Sequence, residues 1–257
     1  MTRALQVSVV DFLNARPLTW GLLKNPPAGV QVSRDLPSAC AEKLARGEAD
    51  IGLIPSIEYK RIPGLSVIPR LGIAAASEVR SVLLVSKVSR EKIGSVAFDP
   101  ASRTSAALTR ILLKRRYGLE PRYTEAPPEA PEESDARLII GDPALKAALN
   151  GHVVLDLAAE WRAFSGHPFV FAFWAFGPGV DPADAEALVS ASYEAGCRDF
   201  PLLIREEAAE SGLSEAVIED YLRHALHYEL DAGDLAGLAL FYRMAAEEGL
   251  IPSGVMT

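Results

Sequence analysis

Between residues 4 and 76 the chain alternates short β-type runs with helical patterns, and that rhythm narrows what it can fold into. Leu5–Val10 and Val30–Leu36 read as strands, with a short helix from Pro17 to Leu23 between them. Ser38, after Pro37, caps a second helix that Gly47 ends, just beyond Leu44 and Arg46. Asp50–Ile54 and Leu65–Ala76 supply two more strands. Strands separated by helices pair in a mostly parallel sheet through right-handed crossovers, which is the α/β class.

Ser81–Ser86 reads as a strand that leaves this unit. Ser95–Phe98 (strand), Ser102–Arg116 (helix) and the strands Arg122–Thr124, Leu138–Ile140 and Val153–Leu157 then form a second, smaller α/β unit. The Pro- and Glu-rich stretch Glu125–Ser134 inside it reads as a solvated loop. Phe169–Phe176 is an aromatic, strongly apolar strand, expected in the core and followed only by helices. Such a strand after the small unit implies a return to the first. The expected architecture has a larger discontinuous domain (1–86 and 169–257) and an inserted domain (87–168). Each holds a mixed sheet flanked by helices, with a ligand cleft between them.

Charge restricts the partners. The net charge is −8, but residues 181–257 carry 16 acidic and 4 basic side chains while residues 1–180 carry 18 acidic and 22 basic. An acidic helical tail argues against nucleic acid, and the mildly positive remainder suits a small anion. No apolar run approaches the roughly 18–20 residues that span a membrane. Met1-Thr-Arg leads at once into Ala4–Val10, leaving no room for a secretory leader, so the expected compartment is the cytoplasm. Cys40 and Cys197 sit far apart in apolar helical contexts and read as reduced core residues.

Familiar cofactor signatures are missing. There is no G-x-G-x-x-G, P-loop, G-x-S-x-G or Cys/His cluster, so no nucleotide, flavin, metal or other cofactor is expected. His224 and His227, three apart on an expected helix Glu215–Leu230, lack a third ligand and read as a helix face. His167 lies at the expected domain crossing and reads as packing or hinge.

The segment Asp99–Ser105 stands out. Leu108, Ile111 and Leu112 mark one face of the helix, and Ser102 is placed to cap it. No acid occurs from Pro100 to Leu119, and Arg103 occupies the first turn, where Asp or Glu usually complements the dipole. The N–H groups of Arg103, Thr104 and Ser105, with the Thr104 and Ser105 hydroxyls, are then free for an external anion. An ordinary Ser/Thr cap has the same sequence pattern. Asp11–Pro17, which presents Asn14 and Arg16, and Pro55-Ser56 follow strands at the carboxyl ends where α/β folds hold ligands.

Taken in order, VVDFLNARPL (Val9–Leu18), PSACAEKLARGEADIGLIPSIEY (Pro37–Tyr59), SVLL (Ser81–Leu84), AFDPASRTSAAL (Ala97–Leu108), DARLIIGDPAL (Asp135–Leu145), Asp156–Trp161 and GHPFVFAFW (Gly166–Trp174) resemble the chorismate dehydratases of the futalosine route to menaquinone. The likeness runs from about residue 7 to 251. It implies a periplasmic-binding-protein type II fold used for catalysis, removing water from chorismate to give 3-[(1-carboxyvinyl)oxy]benzoate without a cofactor. By position, the resemblance puts Asn14 and Ser81 at the reacting ring as catalytic residues. Ser102, Arg103, Thr104 and Ser105 match its anion-binding helix start; Arg16 and Ser56 from the loops after strands, with Gly141 and Asp142 of the I-G-D run, complete the expected substrate-binding set. Where the family reads S-Y-x-N, this chain has Asp11-Phe12-Leu13-Asn14: the Asn is kept, and Phe12 changes the ring surface.

Two other readings compete. The 1,4-dihydroxy-6-naphthoate synthases share the fold, but they have a His where this chain has Ile140-Gly141-Asp142, and a Thr-rich helix start. A non-catalytic carboxylate-binding protein would need an export signal or, as a sensor, a DNA-binding segment.

Overall fold

The computed structural model describes residues 3–127 and 133–252. The middle of the Glu125–Ser134 loop therefore lies outside the described residues. In chain order the elements are β1 (Leu5–Val10), α1 (Arg16–Lys24), β2 (Val30–Asp35), α2 (Pro37–Ala45), β3 (Ile51–Pro55), β4 (Ser66–Ala75), β5 (Val82–Ser86) and β6 (Ser95–Phe98). They continue with α3 (Arg103–Ile111), β7 (Arg122–Glu125), β8 (Ala136–Ile140), α4 (Asp142–Lys146), β9 (Val153–Asp156), α5 (Leu157–Ser165) and β10 (Phe169–Phe176). The last are α6 (Pro182–Arg198), α7 (Phe200–Ser211), α8 (Glu215–Asp220), β11 (His227–Glu229) and α9 (Ala232–Glu247).

Two sheets result, ordered β11-β4-β10-β3-β1-β2 and β7-β6-β8-β5-β9. β1 runs parallel to β2 and β3, as the β-α-β rhythm requires. The first sheet is mixed, as the two-domain reading expects, although the rhythm of the first half alone suggests a mostly parallel one: β10 returns between β3 and β4 and runs antiparallel to both. Apolar side chains bury β10 on both faces whatever its direction, so the pattern that identifies the strand is silent on polarity. The strand at Ser81–Ser86 leaves the first unit, as its sequence suggests: β5 pairs with β8 and β9 inside the second sheet, so the chain crosses before Val82.

Three smaller expectations change. Leu36 occupies the cap position of α2 with no side-chain bond, and Ser38 lies inside the helix behind Pro37. The expected helix Glu215–Leu230 stops early: a π-helical turn, Tyr221–Ala225, follows α8, and β11 then adds to the edge of β4. His227 is thus on a strand and bonds Asp234 at 2.8 Å, not on one helix face with His224. Cys40 is buried, and burial pushes its thiol up to about 12, but Cys197 is exposed and not a core residue.

The core is continuous through both units. Trp161 and Phe241 meet Phe169 edge-on at 5.5 and 5.0 Å, locking α5 and α9 onto β10. The Trp161 indole N–H donates to the Pro168 carbonyl at 3.0 Å. Gly237 lets α9 approach this closely, since a Cβ there would sit 2.3 Å from that same carbonyl.

Candidate active site

A cleft opens where the carboxyl ends of β1 and β3 face the start of α3 and the end of β8. Phe12, Ile73, Phe171 and Val82 make apolar walls, while Asn14, Ser102, Arg103, Thr104, Ser105 and Gly141 supply the polar lining. Of the sequence-derived candidates, those six meet in one space. Arg16, Ser56, Ser81 and Asp142 do not line it, and each is held by other partners.

The start of α3 is as open as its sequence suggests. Ser102 stands at the N-cap with no side-chain cap bond, and the first turn carries no acid. Its hydroxyl is buried without a partner. The Asp99 carboxylate, which could have filled the role, instead accepts the Ala101 N–H at 2.9 Å. Unsatisfied N–H groups, an unspent hydroxyl and the positive end of a helix dipole converge on one side of the cleft.

Arg103 departs from expectation. Its guanidinium bonds Glu58 on the turn after β3 at 2.9 Å, and Glu42 on α2. The acid missing from the first turn of α3 arrives from across the cleft, so the Arg103 charge ties the two units together. Thr104 does similar work: its hydroxyl accepts the Ile57 N–H at 3.2 Å and lies 3.5 Å from Ser56. Ser56 in turn donates to the Val170 carbonyl at 2.8 Å and is fully buried.

At the opposite side, Asn14 sits in a one-turn 3-10 helix, Leu13–Ala15, between β1 and α1. Its Oδ1 is buried with no partner, as Ser102 Oγ is. The turn is pinned by Asp142, whose carboxylate accepts the Leu13 N–H at 2.9 Å. Burial raises the Asp142 pKa, and the Leu13 N–H and the Arg16 charge offset part of that rise. Gly141 has φ 65°, and an added Cβ would stand 3.0 Å from the Phe12 ring. That position requires glycine on both counts.

Arg16 faces away from the cleft. It is 4% exposed and bonds Glu207 and Asp11, each at 2.7 Å. Ser81 is fully buried; its carbonyl accepts the Gly141 N–H at 2.8 Å, and its Oγ accepts a 2.6 Å bond from the Tyr221 hydroxyl. Sequence reasoning missed Tyr221, Glu58 and Glu42. Tyr221 shares helical spacing with Ile218 and Leu222, which looks like core, and only the fold brings it to a residue 140 positions away. Among the described residues no group of three or more His, Cys, Asp or Glu could hold a metal ion, and no helix is long and apolar enough to cross a membrane.

Solved structures with the same architecture are numerous. A protein of Archaeoglobus fulgidus matches with a TM-score of 0.80 at 17% identity, covering 96% of this chain and 98% of its own. The periplasmic aliphatic sulphonate binding protein SsuA of Escherichia coli gives 0.63 at 20% identity, covering 100% of this chain and 91% of that one. The alkanesulfonate-binding protein SsuA of Xanthomonas axonopodis pv. citri, bound to MOPS, gives 0.66 at 18%, covering 98% and 95%. Two mixed sheets around a lined cleft thus define a protein of the periplasmic-binding-protein fold. The model of the menaquinone biosynthesis family matches residues 5–247, and this chain belongs to that family. A chorismate dehydratase of Thermus thermophilus is 32% identical over 236 residues, covering 83% of this chain and 86% of that protein. Another, from Campylobacter jejuni, is 33% identical over 169 residues, covering 63% of each.

Proposed function

We propose that this chain dehydrates chorismate to 3-[(1-carboxyvinyl)oxy]benzoate, acting on a small molecule in the cytoplasm as a carbon–oxygen lyase. The observation that carries the reading is the character of the cleft. Apolar walls separate two unsatisfied polar groups, Ser102 Oγ and Asn14 Oδ1, and the one ionisable side chain in the lining, Arg103, is already paired. A flat dicarboxylate with a hydroxyl fits that pattern. One carboxylate takes the start of α3, with Ser102, Thr104 and Ser105 around it. The ring lies against Phe12 and Phe171, and Asn14 meets the reacting side.

The elimination is stepwise. The C3 proton is acidified through the ring double bond by the ring carboxylate, so its removal leaves a dienolate; the C4–oxygen bond then breaks, and water departs as the ring becomes aromatic. Donors fixed around the developing charge lower the first barrier. No histidine or carboxylate of the described residues lines the cleft, so the substrate's own enolpyruvyl carboxylate receives the C3 proton and passes it to the departing C4 hydroxyl, which leaves as water. Asn14 positions the ring, its Oδ1 accepting from the C4 hydroxyl, while Ser81 acts from behind the cleft wall. The relatives named as chorismate dehydratases support the substrate.

Incubating the purified chain with chorismate tests this directly. The expected result is stoichiometric loss of chorismate with appearance of an aromatic product by absorbance and proton NMR. Binding without turnover would overturn the enzyme in favour of a carboxylate-binding protein.

A further inference from the structure

Behind the cleft wall, Ser81 is held from two sides. Arg80, just before it, has a left-handed backbone at φ 63°, a costly state for a side chain with a Cβ. The Val79 and Arg80 N–H groups both donate to Asp156 Oδ2, at 2.9 and 2.6 Å, while Oδ1 of the same carboxylate caps α5. On the other side two neighbouring pairs run in step. Arg80 meets Asp220 at 2.6 Å, and Tyr221 donates to Ser81 Oγ at 2.6 Å. Tyr221 begins the π-helical turn, a local widening that often occurs at functional sites. Its ring is 1% exposed.

A buried phenol needs a reason. Packing alone would be met by phenylalanine, without the cost of burying a hydroxyl. Burial raises the Tyr221 pKa far above the ordinary tyrosine value, so it stays a protonated donor; contacts with Ser81 and Asn14 offset part of the rise. The phenol thus holds Ser81, whose carbonyl accepts the N–H of Gly141 at the cleft.

We propose that Tyr221 is a positioning residue for the dehydration, bridging to Ser81, whose carbonyl in turn holds Gly141 in the cleft lining beside Phe12. This rests on the chorismate dehydratase reading and assigns the buried tyrosine to it. Ser81 acts through the same bridge, which accounts for its place outside the cleft lining.

The test is a cycle of Tyr221→Phe, Ser81→Ala and the double variant, measured as chorismate turnover with thermal melts alongside. Tyr221→Phe keeps the ring and removes only the hydroxyl, and the double variant leaves no lone polar atom, so at least one of the two retains the fold. Loss of the bridge should lower kcat roughly 10- to 100-fold with KM changed less than about twofold, as expected of misplaced geometry. The double variant should be no slower than the slower single one. Undiminished turnover in Tyr221→Phe, or effects that multiply, would overturn the bridge while leaving the dehydratase reading intact. A wild-type chain without turnover would overturn both.

Discussion

The two polar sides of the cleft are built from similar residues but use them differently. At the start of α3, Arg103 and Thr104 spend their side chains on Glu58, Glu42 and the Ile57 N–H, which leaves Ser102 Oγ, Ser105 and main-chain N–H groups for a ligand. Around Asn14, the backbone is what is spent, with Leu13 N–H held by Asp142, and the side-chain oxygen is left open. One side offers fixed donors to a charge that is present throughout. The other offers a single amide whose oxygen has no partner in the protein. The first arrangement suits binding, the second suits a change between ground state and transition state.

The largest effect that separates them is expected at Asn14. Asn14→Ala should lower kcat by about 100-fold or more, the scale seen when one preorganised polar group is removed from a reacting centre. KM should move little, and melting should stay close to wild type, because Oδ1 has no partner within the protein to lose. Near-normal turnover would remove Asn14 from the chemistry and break the contrast. Ser102→Ala should do the reverse: KM rises about tenfold, the weight of one hydrogen bond to a charged group, and kcat holds. A fall confined to kcat would mean that the α3 side also serves the transition state.

How far this contrast was legible in the sequence depends on the range of the interaction involved. The open helix start could be read because a cap and its first turn are local, and Asn14 because a loop after a strand is local too. Arg103 misled because its partners come from α2 and the turn after β3, and an empty first turn looks the same whether an external anion or a distant glutamate fills it. The periodicity of Phe169–Phe176 fixes burial but not direction, so the antiparallel pairing of β10 with β3 and β4 was hidden. Tyr221 was invisible for the same reason, since a helical tyrosine among apolar neighbours is core until a fold places a hydroxyl beside it.

Glu58 gives a smaller effect that sharpens the assignment of Arg103. Glu58 is nearly buried and accepts from both Arg61, at 2.8 Å, and Arg103, at 2.9 Å. Glu58→Gln keeps the shape and weakens two charge-assisted bonds, so stability should fall by about 2 kcal/mol, read as a melting temperature several degrees lower. Because the Arg103 charge is structural, KM should stay within about twofold. A KM that instead dropped tenfold would show that a released Arg103 binds substrate, and would turn the α3 side into a charged rather than a dipolar anion site.

The smallest effect concerns pH and the carboxylate that pins the Asn14 turn. Burial raises the folded-state pKa of Asp142 above its ordinary value, so between the two values the folded chain binds more proton than the unfolded one. Stability contributed by this group therefore falls as pH rises through that interval, just above the usual aspartate range, and is flat beyond it. Asp142→Asn preserves an oxygen for the Leu13 N–H and removes the titration. The difference in unfolding free energy between wild type and Asp142→Asn, followed by urea melts across mildly acidic pH, should shift in favour of the Asn variant as pH rises and then level off. A difference that moved the other way would mean that the ionised carboxylate is the better partner for the Leu13 N–H. The Asn14 side would then be held by charge, as the Arg103 side is, and the contrast between the two would narrow.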